Sequence, residues 1–176
     1  MPLTVFDPDL IIGGADTDDV QAVLGMCVMG SDDQGKLNIL VVDDDSASRE
    51  LMGALLSDYG RCTEAHNGAE AIKAVTQSLD DEAAFNLICL DIMMPEVDGL
   101  EALKAIRQLE QDKGIAAAER AKVLMTTTAS QVSKTMRAFH FGCSGYLVKP
   151  ISKEKLIKEI KKLPLGQSFN AQWRGR

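Results

Sequence analysis

The sequence predicts an α/β fold in which five parallel strands form one sheet with helices on both faces. From residue 36 onward, short apolar runs alternate with segments whose apolar residues recur at helical spacing. The runs are continuously apolar, which is typical of strands covered on both faces. The 176 residues, 45% hydrophobic and 26% charged, supply the core of one ordinary globular domain and are too few for a second full domain.

The first strand is predicted at residues 37–42, LNILVV, an apolar run that ends in three consecutive acids. A helix follows it, with Ser46 as the N-cap and Gly60 as the stop. Strand and helix together form one βα unit. The apolar face of this helix comprises Leu51, Met52, Leu55, Leu56 and Tyr59.

The next two units repeat this pattern. The run RCTEAH at residues 61–66 leads through Asn67-Gly68 into a second helix. The run FNLICL at residues 85–90 leads through the Pro95 turn into a third. The apolar positions are Ile72, Val75 and Leu79 in the second helix, and Leu100, Leu103 and Ile106 in the third.

Two further units complete the predicted sheet. KVLMTT at residues 122–127 precedes a helix that Ser130 caps and Gly142 stops. SGYLVKP at residues 144–150 precedes a last helix that Ser152 caps. The apolar positions of these helices are Val132, Met136 and Phe139, and then Leu156, Ile157, Ile160 and Leu163.

Side chains with reactive chemistry stand where the predicted strands end. They are Asp43 and Asp44 after the first strand, Asp91 after the third, Thr127 after the fourth and Lys149 after the fifth. In an open parallel sheet the binding crevice lies beyond the carboxyl ends of the strands, so we expect these side chains to meet. Each of them alone is an ordinary cap or loop residue, but together they indicate a site.

The chemistry of this set favours phosphoryl transfer. Three carboxylates in one crevice repel one another, and a hard cation removes that cost. A few oxygen ligands that leave room for water and a phosphate suit Mg²⁺. On the opposite side, Lys149 and Thr127 would neutralise and hydrogen-bond a phosphoryl group on Asp91. The residues therefore predict that Asp91 is a nucleophile held on a rigid strand end.

Four blocks of the sequence, ILVVDDD, LICLDIMMPEVDGLE, VLMTTTA and GYLVKP, resemble in order those of the response regulator receiver domain. The resemblance covers residues 36–163. It implies a flavodoxin-like (βα)5 receiver fold with strand order 2-1-3-4-5. It also implies a signalling switch, not an enzyme, that takes a phosphoryl group from a sensor histidine kinase.

The resemblance assigns a magnesium site to the acidic residues. Asp91 would be the phospho-acceptor and a metal ligand, and Asp44 a direct Mg²⁺ ligand beside it. Asp43 would act mostly through metal-bound water. The backbone carbonyl of Met93 would complete the protein ligands.

The resemblance also implies a switch. Thr127 would move its hydroxyl onto the phosphoryl group, Lys149 would be the cationic partner, and Tyr146 would turn inward on activation. In this family the peptide bond between residues 149 and 150 would be cis, which costs little before proline. The choice of Thr127 over Thr126 or Thr128 rests on register alone.

The sequence departs from the family pattern in further ways. Thr128 stands where the family has a small residue. Residues 110–122 are longer than a tight helix-to-strand link, so an extended third helix or an extra turn is expected. Met93 and Ala129, two residues after Asp91 and Thr127, cannot orient an attacking water by hydrogen bonding, so slow self-dephosphorylation is predicted.

Charge and cysteine usage limit the partners. Residues 1–35 carry seven acids and no base, whereas residues 36–176 carry 19 acids and 19 bases, so no basic patch indicates nucleic-acid binding. No apolar run is long enough for a membrane span, and no secretory signal is recognisable. The four cysteines have neither zinc nor disulfide spacing, so a cytoplasmic protein with reduced thiols is expected.

The sequence is compatible with two ways in which the activated protein could signal. The activated protein would dock on an unidentified downstream protein through residues 130–163, or it would pass its phosphoryl group to a histidine phosphotransfer protein. A third function, an aspartate-nucleophile phosphohydrolase, would need a second acid two residues after Asp91, where Met93 stands.

The two ends of the sequence lie outside the resemblance. Residues 1–35 form an acidic extension with a short helix predicted near residues 18–29, and residues 164–176 form a tail. Three readings of the predicted helix stay open: it packs on its own receiver, it pairs two chains as a homodimer, or it precedes a true start at Met26 or Met29. Its apolar positions are Val20, Val23, Leu24, Cys27 and Val28.

Overall fold

The computed structural model describes residues 36–165, except for the side chains of residues 131–135. In this range five strands form one parallel sheet in the order β2-β1-β3-β4-β5, which confirms the predicted fold class. The strands are β1 (Leu37–Val42), β2 (Gly60–Ala65), β3 (Leu87–Asp91), β4 (Lys122–Thr127) and β5 (Gly145–Val148).

Five helices follow the strands in the same part of the chain. They are α1 (Ser46–Leu56), α2 (Gly68–Asp80), α3 (Gly99–Asp112), α4 (Val132–His140) and α5 (Lys153–Ile160), with a 3-10 turn at Ala129–Gln131 before α4. None of these helices is both long and apolar enough to cross a membrane. The helix predicted near residues 18–29 and the tail from residue 166 onward lie outside the described residues.

Each face of the sheet packs against a hydrophobic cluster. β3 belongs to both clusters because all five of its residues are buried. Helices α1 and α5 cover one face, and α2, α3 and α4 cover the other. The first cluster includes Ile39, Val41, Leu87, Cys89, Leu124, Met52, Leu56, Leu156 and Ile160; the second includes Leu40, Val42, Ile88, Leu90, Val123, Val75, Leu103, Ile106 and Ala138.

Side-chain oxygens cap four of the described helices, at Asp45, Asn67, Asp98 and Ser152. The prediction that Ser46 caps α1 was wrong. Instead, Asp45 Oδ2 accepts hydrogen bonds from the amide and the hydroxyl of Ser48, at 2.9 and 2.7 Å. A carboxylate here also interacts favourably with the positive end of the helix dipole.

The predicted stop of α1 at Gly60 was wrong as well. The helix ends at Leu56, and Gly60 is the first residue of β2. A Cβ atom at Gly60 would overlap the carbonyl oxygen of Leu37, its partner in the sheet, so the glycine is required by strand packing. Ser130, the predicted cap of α4, lies inside the 3-10 turn that precedes that helix.

The long link between α3 and β4 contains extra turns, as the sequence predicts. It is anchored by Glu110, which is only 2% exposed. One carboxylate oxygen of Glu110 accepts from the Ala121 amide at 2.8 Å, and the other pairs with Arg107 at 2.6 Å. The buried carboxylate therefore fixes the path of the chain into β4.

The cysteines offer a test of the packing. Cys62, Cys89 and Cys143 are free thiols, and burial raises the pKa of Cys89 to about 12. Because the thiolate is the reactive form, Cys89 is expected to resist iodoacetamide at pH 8 in the native protein, while the less buried Cys62 is modified before Cys89. Mass spectrometry of peptides checks this order. In urea, which unfolds the protein, the two cysteines should be modified at similar rates. Rapid native modification of Cys89 would contradict the packing of β3.

Candidate functional site

The acidic residues predicted at the strand ends lie together. Asp43 and Asp44 follow β1, and Asp91 is the last residue of the neighbouring strand β3. One carboxylate oxygen from each of the three lies within 4.8 Å of the others. Asp43 and Asp91 are 5% and 6% exposed, whereas Asp44 is exposed. The sheet register therefore creates a small acidic crevice with one edge open to solvent.

Lys149 joins this cluster from β5. Its Nζ lies 2.7 Å from Asp43 Oδ2 and 2.8 Å from Asp91 Oδ2. The backbone amide of Lys149 donates to the carbonyl of Thr127 at 2.7 Å, which ties the residue to the end of β4. The peptide bond between residues 149 and 150 is cis, as the resemblance implies. One ammonium group thus bridges two nearly buried carboxylates.

Asp91 and Lys149 shift each other's pKa. Burial raises the pKa of Asp91; hydrogen bonding and charge from Lys149 oppose this shift, and the nearby charge of Asp43 adds to it. Burial alone would lower the pKa of Lys149, but its bonds to Asp43 and Asp91 outweigh burial and raise that pKa. Lys149 is therefore held in its charged form beside Asp91, whose raised pKa makes its carboxyl group harder to ionise.

The donor set fits a magnesium ion. Three carboxylates with converging oxygens and an open edge match a cation that prefers oxygen ligands and keeps some of its water. Met93 lies two residues beyond Asp91, and its amide approaches Asp91 Oδ1 at 3.4 Å. This contact places the Met93 backbone at the rim of the same crevice.

A buried arginine beneath the crevice was missed by sequence reasoning. Arg49 Nη1 donates to the carbonyls of Asp43 and Asp44 at 2.8 and 3.2 Å, and its Nε pairs with Glu64 at 3.3 Å. The side chain thus pins the loop that carries two of the three acids. The available signal was a basic residue on the buried face of α1, three residues before Met52.

Of the predicted switch residues, Thr127 is placed at the end of β4 and is fully buried. Its hydroxyl donates to the carbonyl of Thr128 at 3.2 Å. In the sheet register, Thr126 is the residue that pairs with Asp91. The exposed Thr128 hydroxyl lies 3.0 Å from that of Ser130. The three threonines thus have distinct environments.

Tyr146 belongs to the edge strand of the sheet. It lies on β5, paired with Met125, and its side chain is 37% exposed. Its ring contacts Phe139 edge-on, with ring centroids 6.2 Å apart. Met136, which is 75% exposed, lies one turn earlier on α4, so this face of the molecule carries an exposed apolar surface.

Known proteins share both sequence and fold with this chain. The family model of the response regulator receiver domain matches residues 39–161. The response regulator MprA of Mycobacterium ulcerans is 34% identical over 128 residues, which cover 72% of this chain and 50% of that protein. The chain thus corresponds to about half the length of this relative.

Two solved structures are informative. The co-crystal structure of the Saccharomyces cerevisiae histidine phosphotransfer protein Ypd1 and the receiver domain of Ssk1 matches at 28% identity and a TM-score of 0.61, covering 73% of this chain and 88% of that one. The receiver domain of sensor histidine kinase PA1611 from Pseudomonas aeruginosa matches at 21% identity and a TM-score of 0.59, covering 72% and 96%. That second structure has a magnesium ion coordinated in its active site cleft.

Proposed function

The chain belongs to the response regulator receiver domain family, and from this premise we propose that Asp91 accepts a phosphoryl group from a histidine kinase. The modified protein then signals in the cytoplasm through changed contacts with other proteins. One observation carries the proposal: Lys149 bridges Asp43 and Asp91, with Asp44 in the same cluster. The likeness to MprA covers half of that protein, so it supports the receiver function and no particular output.

The reaction requires a nucleophile and compensation of charge. A carboxylate oxygen of Asp91 attacks phosphorus, the bond from phosphorus to the donor imidazole breaks, and the nitrogen keeps the electron pair. Lys149, already in contact with Asp91, neutralises part of the charge on the phosphoryl oxygens. Asp43, Asp44, Asp91 and the Met93 carbonyl would hold Mg²⁺, whose positive charge offsets that of the carboxylates and the phosphoryl group.

Intact mass spectrometry tests the proposal. The protein is incubated with Mg²⁺ and acetyl phosphate, a small donor that needs no kinase. We expect the mass to rise by one phosphoryl group, and the rise to depend on Mg²⁺. An unchanged mass would count against the proposed site. Phosphorylation that proceeds at the same rate without Mg²⁺ would also count against it.

The resting positions of Thr127 and Tyr146 support a switch. The Thr127 hydroxyl bonds to the carbonyl of the next residue and the Tyr146 ring is partly exposed, which supports movement of both side chains toward a phosphoryl group. We propose that this movement alters the surface formed by residues 130–163, where the downstream protein docks. The exposed Phe139 and Tyr146 ring pair belongs to that surface.

Matched valine substitutions distinguish the switch threonine. Phosphorylation is expected to shift the amide NMR resonances of β5 in the wild type and in Thr126→Val. Thr127→Val should still accept the phosphoryl group but lose the shifts, because the hydroxyl that couples Asp91 to β5 is absent. Both residues are buried, at 2% and 0% exposure, so the substitutions are comparable. Loss of the shifts in Thr126→Val alone would reassign the switch.

A long phosphoryl lifetime is the expected consequence of Met93 and Ala129. Neither residue can orient an attacking water, and both are exposed, so both can be replaced with little strain. The double variant Met93→Asn with Ala129→Glu is expected to lose the phosphoryl group roughly fivefold faster, since one added hydrogen bond is worth about 1 kcal/mol. Loss is timed by intact mass.

The control for this experiment is Met136→Asn, which changes an exposed methionine on α4 away from the acidic crevice. Its phosphoryl lifetime should equal that of the wild type. Rapid loss from the unaltered protein, without an added phosphatase, would contradict the predicted lifetime.

Phosphotransfer is a second candidate output. A structural neighbour of 28% identity is the complex of the phosphotransfer protein Ypd1 with the Ssk1 receiver domain, which favours a partner of this kind. Incubating the phosphorylated protein with a histidine phosphotransfer protein tests it. Reversible transfer supports a relay intermediate, whereas retention on Asp91 supports a terminal switch. A phosphohydrolase is disfavoured because Met93 stands where the second acid is needed.

A further inference from the structure

A second pocket, of about 390 Å³, lies where β4 begins. It lies between the link from α3 to β4 and the end of α4, and is open to solvent on one side. We call it the basic pocket, and its lining includes Arg107, Arg120, Lys122, His140, Phe141 and Ser144. Among the residues that the structure describes, this lining contains no acid. Lys122 begins β4 while Thr126 near its other end pairs with Asp91, so the pocket and the acidic crevice lie at opposite ends of the strand.

The wall of the basic pocket is fixed by Arg107. Its Nη1 pairs with the buried carboxylate of Glu110 at 2.6 Å. Its Nη2 donates to the carbonyls of Ala121 and Gly142, each at 2.9 Å. These bonds join the start of β4 to the end of α4 and leave Arg107 electrically paired. The pocket is therefore formed before any ligand arrives.

The remaining cations are not neutralised in this way. Lys122 Nζ donates to the carbonyl of Ala118 at 2.8 Å, and Arg120 Nε donates to that of Ile115 at 3.3 Å. Within residues 36–165, neither cation forms an ion pair with a described carboxylate. Burial lowers the pKa of Lys122 and the Arg107 cation lowers it further, whereas the charge of Glu110 opposes this shift. Among the described residues, Arg120 and Lys122 thus have no direct ion-pair partner at the pocket, and the nearby carboxylate of Glu110 is already paired with Arg107.

We propose that the basic pocket binds a small anion carrying phosphate groups, held by Arg120 and Lys122. Guanidinium and ammonium groups together are the usual donors to phosphate oxygens. The volume lies within the range of roughly 300–1,000 Å³ typical of small-molecule sites. Phe141 and the alanines of the link provide an apolar wall, so the ligand can also carry an organic group of about mononucleotide size. This binding does not depend on phosphorylation of Asp91.

NMR spectroscopy and calorimetry test the proposal with two probes, inorganic pyrophosphate and ADP, in metal-free buffer of low ionic strength. Saturable binding is expected, with the largest amide shifts at Ala121, Gly142 and Ser144. Tighter binding of ADP than of pyrophosphate would identify an organic phosphate as the ligand class, and equal binding a bare anion. Both results support the site.

The variants are chosen to separate the pocket from net charge. Arg120→Gln with Lys122→Gln should weaken binding by at least about tenfold, because hydrogen bonds to charged groups are strong. The control, Lys155→Gln with Lys158→Gln, removes the same charge from exposed positions of α5 and should leave the affinity unchanged. Lys122→Arg, which keeps the charge, should retain binding.

Three outcomes would overturn the proposal. They are an absence of saturable binding, amide shifts centred on the acidic crevice, and equal weakening in the control pair. Lys122 also bonds the Ala118 carbonyl, so its substitution can alter the link itself. The single variant Arg120→Gln avoids this problem: if its NMR spectrum without ligand matches that of the wild type, weaker binding is due to loss of the Arg120 charge. The Asp91→Asn variant should bind both probes as the wild type does, so this test is independent of the phosphorylation site.

Discussion

Replacement of Asp91 by asparagine is expected to abolish phosphoryl uptake from acetyl phosphate. The amide that replaces the carboxylate has no negative charge and is a far weaker nucleophile. The change is nearly isosteric, and Lys149 keeps its 2.7 Å contact with Asp43, so the crevice should persist. Intact mass after incubation with Mg²⁺ and the donor should show no added phosphoryl group.

The same variant makes a prediction about stability. Because burial raises the pKa of Asp91, the native protein binds this proton at pH values where the unfolded chain has released it. The free energy of unfolding of the wild type therefore falls as the pH rises from the pKa of Asp91 in the unfolded chain through its raised pKa in the native protein. The Asp91→Asn variant lacks this loss. In metal-free buffer at pH 7 the variant should be at least as stable in urea, and the difference should vanish below about pH 4.

A matched control excludes a general effect of charge. Asp58→Asn removes an acid whose side chain is 59% exposed and whose nearest described base, Lys153, is 3.9 Å away. This variant should take up one phosphoryl group as the wild type does. Uptake by Asp91→Asn would remove Asp91 from the role of acceptor, and failure of Asp58→Asn would show that loss of an acid anywhere on the surface impairs uptake.

The strand ends were predictable because strand burial and acid placement are local features of the sequence. Asp43, Asp91 and Lys149 each follow an apolar run, and parallel strands bring such positions to one edge. Arg49 and Glu110 were not predictable in the same way. Their importance depends on buried contacts made after folding, with loop carbonyls in one case and a distant amide in the other.

Local errors arose where two residues could serve the same purpose. Asp45 and Ser46 are both good caps, and only the backbone path shows that Asp45 reaches Ser48. Gly60 looked like a helix stop because glycine often ends helices, yet it is needed where β2 approaches Leu37. The first case was decided by the local backbone path at the start of α1, and the second by a contact between two distant segments of the chain.

Gly99→Ala is expected to destabilise the protein and to impair the acceptor together. Gly99 begins α3 close to Asp91, the proposed phospho-acceptor, and its amide donates to the Ile92 carbonyl at 3.0 Å. A Cβ atom here would overlap the carbonyl oxygen of Asp91 and lie 3.0 Å from Ile92 Cα, both in the backbone. Since backbone cannot rotate away, we expect the free energy of unfolding to fall by about 2–3 kcal/mol.

Gly53→Ala is the matched control, because it adds the same methyl group within α1 where nothing from outside its helix lies within 4 Å. Alanine favours the helix, so this variant should gain about 0.5–1 kcal/mol in urea unfolding. Phosphoryl uptake should slow in Gly99→Ala alone, because relief of the overlap displaces Asp91 from Lys149. Equal stability changes in the two variants, or normal uptake in Gly99→Ala, would show that the acceptor does not depend on this close contact between α3 and β3.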